Sequence, residues 1–241
     1  MVMTVMRALC LVALLVCVGQ ASASVAEHHG ANDPTTEGWS MLGNASLGSP
    51  DTDLDAWIVD QPVGKWCQYA AAVSSADLSS LESNGWVFTV DLADLSGPDH
   101  TDPAIPGVPS WTVFAIFSDA GHYWGFALGT DGAGDALVRP TDGANTTYSV
   151  GVDAPEFHRY AISKGAGASE AEVRVDGSLV ASFTGIAASE KGVYWGSGQT
   201  DCSGIGAYRT VFLTAAPGLP AFALVGAAPA LGAVVRKLRK R

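Results

Sequence analysis

Four sets of side chains in this sequence could do chemistry. The first is acidic. Seventeen aspartates lie between Asp33 and Asp201, and carboxylate oxygens on loops are what calcium requires. Asp51-Thr52-Asp53-Leu54-Asp55 has the alternating carboxylates that open a calcium-binding EF loop. Ala56, however, stands where that loop needs glycine, and Pro62 where it needs glutamate. Asp131 and Asp135 form a second loop pair, Asp99 and Asp102 a third. The plainer reading is an acidic surface that keeps the chain soluble; calcium is the alternative.

The second set is the carboxylates that could flank a glycosidic bond. Glycoside hydrolysis uses two, one as acid and one as base or nucleophile. Glu170, Glu172 and Asp176 come closest to a usable spacing. Residues i and i+2 of a strand share a face, but Val173 and Val175 hold the opposite parity, which marks the carboxylate face as the solvated one. No Ser/His/Asp, Cys/His or Gly-rich phosphate-binding signature stands out, so no catalytic residue is assigned. The third set is aromatic. His122, Tyr123, Trp124, Trp195 and Tyr208 could stack on sugar rings. Tyr123 and Trp124 are neighbours and point to opposite faces of a strand, so one of them belongs to the core. The fourth set is Cys67 and Cys202, the only cysteines once residues 1–23 are removed. Two cysteines in an exported chain favour a disulfide; two separate thiols are the alternative.

Positioning these groups falls to a chain of 241 residues with 48% hydrophobic and 15% charged residues, enough for a normal core. Its charge is segregated. Residues 24–217 hold seven basic and all 24 acidic residues, a net of −17, while five of the last six positions are Arg or Lys. A body this acidic repels phosphate backbones, which excludes nucleic acid as a partner. Residues 1–23 combine Arg7, an apolar run and Ala21-Ser22-Ala23, the pattern of a signal peptide. Residues 215–235 contain an uncharged stretch, LPAFALVGAAPALGAVV, of spanning length, and 236–241 read RKLRKR. That order predicts one membrane helix with a basic cytoplasmic tail and the body outside. Residues 24–34 read as a flexible start, with His28-His29 a chance pair.

Between 35 and 214 the pattern is all-β. Strand-like runs recur at Ala56–Val59, Lys65–Ala71, Trp86–Leu92, Trp111–Phe117, His122–Leu128, Phe157–Ser163, Ala171–Val175, Leu179–Phe183, Val193–Trp195 and Tyr208–Leu213. Several alternate with period two. Asp176-Gly177 is a two-residue hairpin signal. Asp77–Ser83 reads as one short helical turn, and Ser96–Pro109 as a long Pro-rich loop of the kind that borders binding faces. The whole reads as an antiparallel sandwich.

Two resemblances add to this. Glu156-Phe157-His158-Arg159-Tyr160-Ala161-Ile162, followed by Ala171–Val175, Asp176-Gly177 and Leu179-Val180-Ala181, resembles the strand and hairpin of laminin-G-like and concanavalin-A-like jelly rolls. Trp86–Leu92, Val113–Ser118, His122–Leu128, Gly129-Thr130-Asp131-Gly132 and Trp195-Gly196-Ser197-Gly198 fit the same order. The resemblance implies a jelly-roll β-sandwich, a rim calcium in some members, and chain ends in adjacent strands, which would bring Cys67 and Cys202 together. The tail from Ala216-Pro217-Gly218-Leu219-Pro220 to Arg241 resembles the PEP-CTERM class of bacterial sorting signals, without the glutamate of the usual triplet. It implies a sorting protease as a partner. The expectation is therefore an exported, membrane-tethered, non-catalytic jelly-roll module that binds glycan or matrix polysaccharide. A polysaccharide hydrolase or lyase, and a structural protein without a ligand, are the alternatives.

Overall fold

The computed structural model describes residues 24–216. The expected signal peptide and basic tail lie outside the described residues, as does the expected membrane helix except for Ala215 and Ala216. No helix among the described residues is long and apolar enough to cross a membrane.

Sixteen strands run in chain order. They are β1 (Ser24–His29), β2 (Ser40–Gly43), β3 (Gly48–Asp51), β4 (Ala56–Gln61), β5 (Cys67–Ala72), β6 (Trp86–Asp94), β7 (Phe114–Asp119) and β8 (His122–Thr130). Then follow β9 (Asp135–Pro140), β10 (Tyr148–Asp153), β11 (His158–Lys164), β12 (Ala171–Val175), β13 (Ser178–Phe183), β14 (Ile186–Ala187), β15 (Lys191–Ser197) and β16 (Gly204–Ala215). One sheet has the order β13-β12-β11-β6-β16-β4-β3, with β1 also beside β16; the other has β10-β9-β8-β7-β15-β5-β2, with β14 beside β8. Every pairing between these strands is antiparallel.

Alternation explains the core. Trp86, Phe88, Val90 and Leu92 of β6 point inward, as do Tyr160 and Ile162 of β11 and Val173 and Val175 of β12. From the other sheet come Ala115 and Phe117, Trp124, Phe126 and Leu128, and Val193 and Trp195. The β12–β13 hairpin turns on Asp176 (φ 49°) and Gly177 (φ 83°), the left-handed pair that a two-residue turn demands.

Three expectations are corrected. The turn expected at Asp77–Ser83 is a ten-residue helix, α1 (Ser75–Asn84). Ser74 caps it by accepting from the Asp77 N–H at 3.1 Å, and Leu78 and Leu81 bury one side. The flexible start expected at 24–34 is instead strand β1, paired with β16 over Ser24–His29, followed by a 3-10 turn at Pro34–Glu37. The disulfide is absent: Cys67 and Cys202 are both free and buried. Cys67 opens β5 opposite Ser197. Cys202 sits in the approach to β16, its carbonyl accepting from Gln61 at 2.8 Å and its thiol near Asp201 Oδ1.

Candidate functional site

On β8 the alternation divides the expected sugar-stacking residues. Trp124 faces in and is 1% exposed, while Tyr123 faces out. Trp195 and Tyr208 are also buried, so neither can meet a ligand. Trp195 lies against Tyr69 and Tyr208, and the Tyr208 hydroxyl donates to the Gly196 carbonyl at 2.8 Å. His122 is half-buried and lines a separate polar cleft with Glu82, Asp119 and Lys191 beside α1. Of the five, Tyr123 alone reaches the hollow described next.

That hollow, about 300 Å³, opens on the outer face of the second sheet. Its lining includes Trp111, Ile116, Tyr123, Arg139, Asn145 and Ile186. Ile116 of β7 and Arg139 of β9 reach it because their inward neighbours, Phe117 and Val138, are in the core. The Arg139 guanidinium lies 5.0 Å from the Trp111 ring centre. It donates to the Pro109 carbonyl at 3.1 Å and to Asn145 Oδ1. Burial pulls Arg139 below the ordinary guanidinium value, opposed by Asp102 and Asp142. On the far side the Tyr123 hydroxyl donates to Glu190 Oε2 at 2.5 Å. That bond pushes the phenol up to about 12 and holds Glu190 below the usual carboxylate range. The result is an apolar floor with aromatic edges and a fixed polar rim, which suits a sugar ring: carbon faces stack and hydroxyls take the rim.

The other candidate chemistry is engaged elsewhere. Glu172 accepts from Arg174 at 2.8 Å. Asp176 accepts from the Arg159 N–H at 2.9 Å and pairs with His158 at 2.7 Å, bonds that lower its pKa. Both carboxylates are thus engaged by neighbouring side chains or backbone. Of the aspartates proposed for calcium (Asp51, Asp53, Asp55, Asp131 and Asp135), two hold turns through their side chains. Asp51 Oδ1 accepts from the N–H groups of Asp53 and Leu54, and Asp131 Oδ1 from those of Ala133 and Asp135. Among the described residues no group of three or more His, Cys, Asp or Glu side chains could hold a metal ion.

One constellation escaped the sequence reading. The Ser96–Pro109 loop folds back so that His100 Nδ1 lies 2.7 Å from Asp94 Oδ2 and Nε2 lies 2.7 Å from Thr112 Oγ1. Thr112 Oγ1 is in turn 2.6 Å from Ser110 Oγ. This is an Asp–His–hydroxyl chain, the order that activates a nucleophile. All four residues are at most 8% exposed, and a Cβ at Gly204 would collide with Thr112 Oγ1. With no room for a reacting carbonyl, the chain pins the loop rather than attacking anything. The only sequence cue was its residue types, because Asp94, His100 and Thr112 meet through the loop's path and not through a fixed spacing.

No protein-family model matches the chain, and no curated protein matches it in sequence. Solved structures do match in fold. One is a botulinum neurotoxin type C whose cell entry depends on interaction with two ganglioside molecules (TM-score 0.53, 6% identity, covering 81% of this chain and 48% of that one). Another is the binding domain of botulinum neurotoxin DC in complex with rat synaptotagmin II (TM-score 0.53, 8% identity, 80% and 48%). A sialidase matches at TM-score 0.51 and 10% identity, over 80% of this chain and 19% of that one. The chain thus spans about half the length of the neurotoxin chains. At these identities the likeness is one of fold, and it agrees with the jelly-roll sandwich that the resemblance implied.

Proposed function

We propose that this protein is a non-catalytic carbohydrate-binding module, exported and held at the cell surface, whose ligand is a neutral glycan seated in the hollow between Trp111 and Tyr123. The observation that carries the reading is the hollow itself: aromatic edges, an apolar floor and a rim of Arg139 and Asn145 on one outer sheet face, with the Tyr123 hydroxyl held by Glu190. A net charge of −17 over residues 24–217 disfavours acidic polymers and favours neutral ones. The ganglioside dependence of one neurotoxin of similar fold supports glycan binding on this fold but not the choice of a neutral glycan, since gangliosides are sialylated and anionic. Export and anchoring rest on the signal-like start and the apolar, basic-ended tail.

The test is retention of the full chain on a panel of neutral and acidic polysaccharides, with released reducing ends measured in parallel. Retention on a neutral polymer, weakened about tenfold in Tyr123→Ala, supports the reading; an aromatic contact supplies about 0.5–1.5 kcal/mol and tenfold is about 1.4. Retention unaltered in both Tyr123→Ala and Trp111→Ala rejects the site. Turnover of a polymer rejects the non-catalytic reading.

A further inference from the structure

The segment Ser24–Trp39 is a strap laid over the edge of an aromatic cluster. Among the described residues β1 pairs with β16 alone. Beyond it the Gly30 N–H donates to the Arg209 carbonyl at 2.6 Å, and the Trp39 indole N–H donates to the Glu27 carbonyl at 2.8 Å. Ala26, His28 and Trp39 point into the core. Trp39 meets Trp195 edge-on at 5.7 Å, and His28 stacks on Trp195 at 4.9 Å with 25° between the planes. Tyr69 and Tyr208 pack against the same indole, at 4.6 and 4.7 Å.

His28 is the unusual member. Its side chain is fully buried, and its Nδ1 lies 2.6 Å from Glu37 Oε2. Its Nε2 has no hydrogen-bond partner among the described residues. The charged and titratable groups around it are Glu37 from the 3-10 turn and Glu27 and His29 from its own strand. The Tyr208 carbonyl of β16 also acts on the ring, and Tyr69 of β5 lies across Trp195.

We propose that the strap is an acid-released latch, held shut by neutral His28 and detaching from β16 when that ring takes up a proton. A neutral ring donates from Nδ1 to Glu37 and leaves Nε2 as a lone pair against aromatic carbon. A protonated ring would bury a second N–H that makes no hydrogen bond in the docked strap, the Tyr208 carbonyl near it standing outside hydrogen-bond geometry, so much of the desolvation cost of that group remains. Relief comes from moving the strap out. The strap is tied to the sandwich through one strand ladder, so it opens at lower cost than the whole fold.

Burial lowers the His28 pKa from 6.5, with Glu37 and the Tyr208 carbonyl opposing and His29 adding to the lowering. The detached strap therefore binds the proton more tightly than the docked one. Its opening constant rises as pH falls below about 6.5, by at most about tenfold per pH unit because one proton is involved. Detachment uncovers Trp39, Trp195 and Tyr69, a surface unlike the hollow of the second sheet. This inference does not depend on the sugar-binding reading.

Hydrogen exchange of the full chain at pH 7.5 and 5.5, corrected for intrinsic rates, tests it. The expected result is protection lost severalfold at pH 5.5 in Ser24–Gly30 and in the paired part of β16, Thr210–Thr214, with β11 and β12 unchanged. His28→Gln should make the two pH values equal. If that variant does not fold, Glu37→Gln serves. It removes a group that favours the docked, protonated ring, so the ratio between the two pH values should be kept or grow. Equal protection at both pH values in the unaltered chain overturns the proposal. So does loss spread evenly over β11 and β12, loss that persists in His28→Gln, or a ratio reduced by Glu37→Gln.

Discussion

His28 and His100 are both buried, and each holds a carboxylate through Nδ1, at 2.6 and 2.7 Å. They differ at the other nitrogen. His100 Nε2 faces Thr112 Oγ1 at 2.7 Å and the Ser203 carbonyl at 3.1 Å. If that nitrogen carries a proton it donates to either oxygen; if it does not, it accepts from the threonine. His28 Nε2 lies against aromatic carbon and makes no hydrogen bond among the described residues, the Tyr208 carbonyl nearby being outside hydrogen-bond geometry. A buried histidine closed on both sides by hydrogen bonds can act as a lock in either state. One closed on a single side holds its element only while it is neutral.

The comparison breaks most sharply at Asp94. Asp94→Ala strips the acceptor from His100 Nδ1 and from the Ser96 N–H and hydroxyl. It should cost about 3 kcal/mol in denaturant unfolding and release the Ser96–Pro109 loop to hydrogen exchange. An unchanged midpoint would mean that His100 is no lock. Thr112→Val keeps the volume and removes one partner of Nε2 while Ser203 remains, so calorimetry should show a smaller loss of about 1–2 kcal/mol. A loss equal to that of Asp94→Ala would show that the two sides of the ring are not separable.

On the His28 side the effect is one of pH. Its pKa in the fold lies below 6.5, so the unfolded chain binds the extra proton. The associated stability is complete above about pH 6.5 and is lost as pH falls from there through the folded pKa. Urea titrations should lose at most about 1.4 kcal/mol per pH unit in that window from this group, and His28→Gln should remove that component. The smallest effect belongs to the exposed Asp91–Arg159 pair on the outer face of the first sheet, where Arg159 is 64% exposed. Arg159→Ala should cost less than about 1 kcal/mol, and less still in molar salt. A larger loss there would show that partnering, not burial, sets the scale in both histidine sites.

Much of the sandwich was legible because alternation is local. All ten expected strands form, and Asp176-Gly177 turns where its types demand. Of the strands that escaped, three had weak patterns. Ser24–His29 reads SVAEHH, Gly48–Asp51 contains Pro50, and Tyr148–Asp153 contains Gly151 in a positive-φ conformation (65°). Each is held by the strand beside it more than by its own propensity. Of the hollow, the sequence marked Tyr123. Arg139 and Asn145 are six residues apart, but Trp111 and Ile186 are distant from them in the chain, and nothing in the spacing joins the set.

The sequence by itself determined the class of fold, the inward and outward residues of the strong strands, the solvated face of Glu172, and an acidic body framed by an apolar start and a basic end. Those are matters of period two, composition and charge, which neighbours in the chain decide. The tertiary structure alone decided that Trp195 and Tyr208 are core, that Cys67 and Cys202 stay apart, and that the first six described residues are a strand. It also decided that one histidine is fully partnered and another is not. Each of these depends on which distant segment arrives opposite a given side chain. A two-sheet sandwich settles that by packing its faces together and by the path of its loops, over separations that no local pattern records.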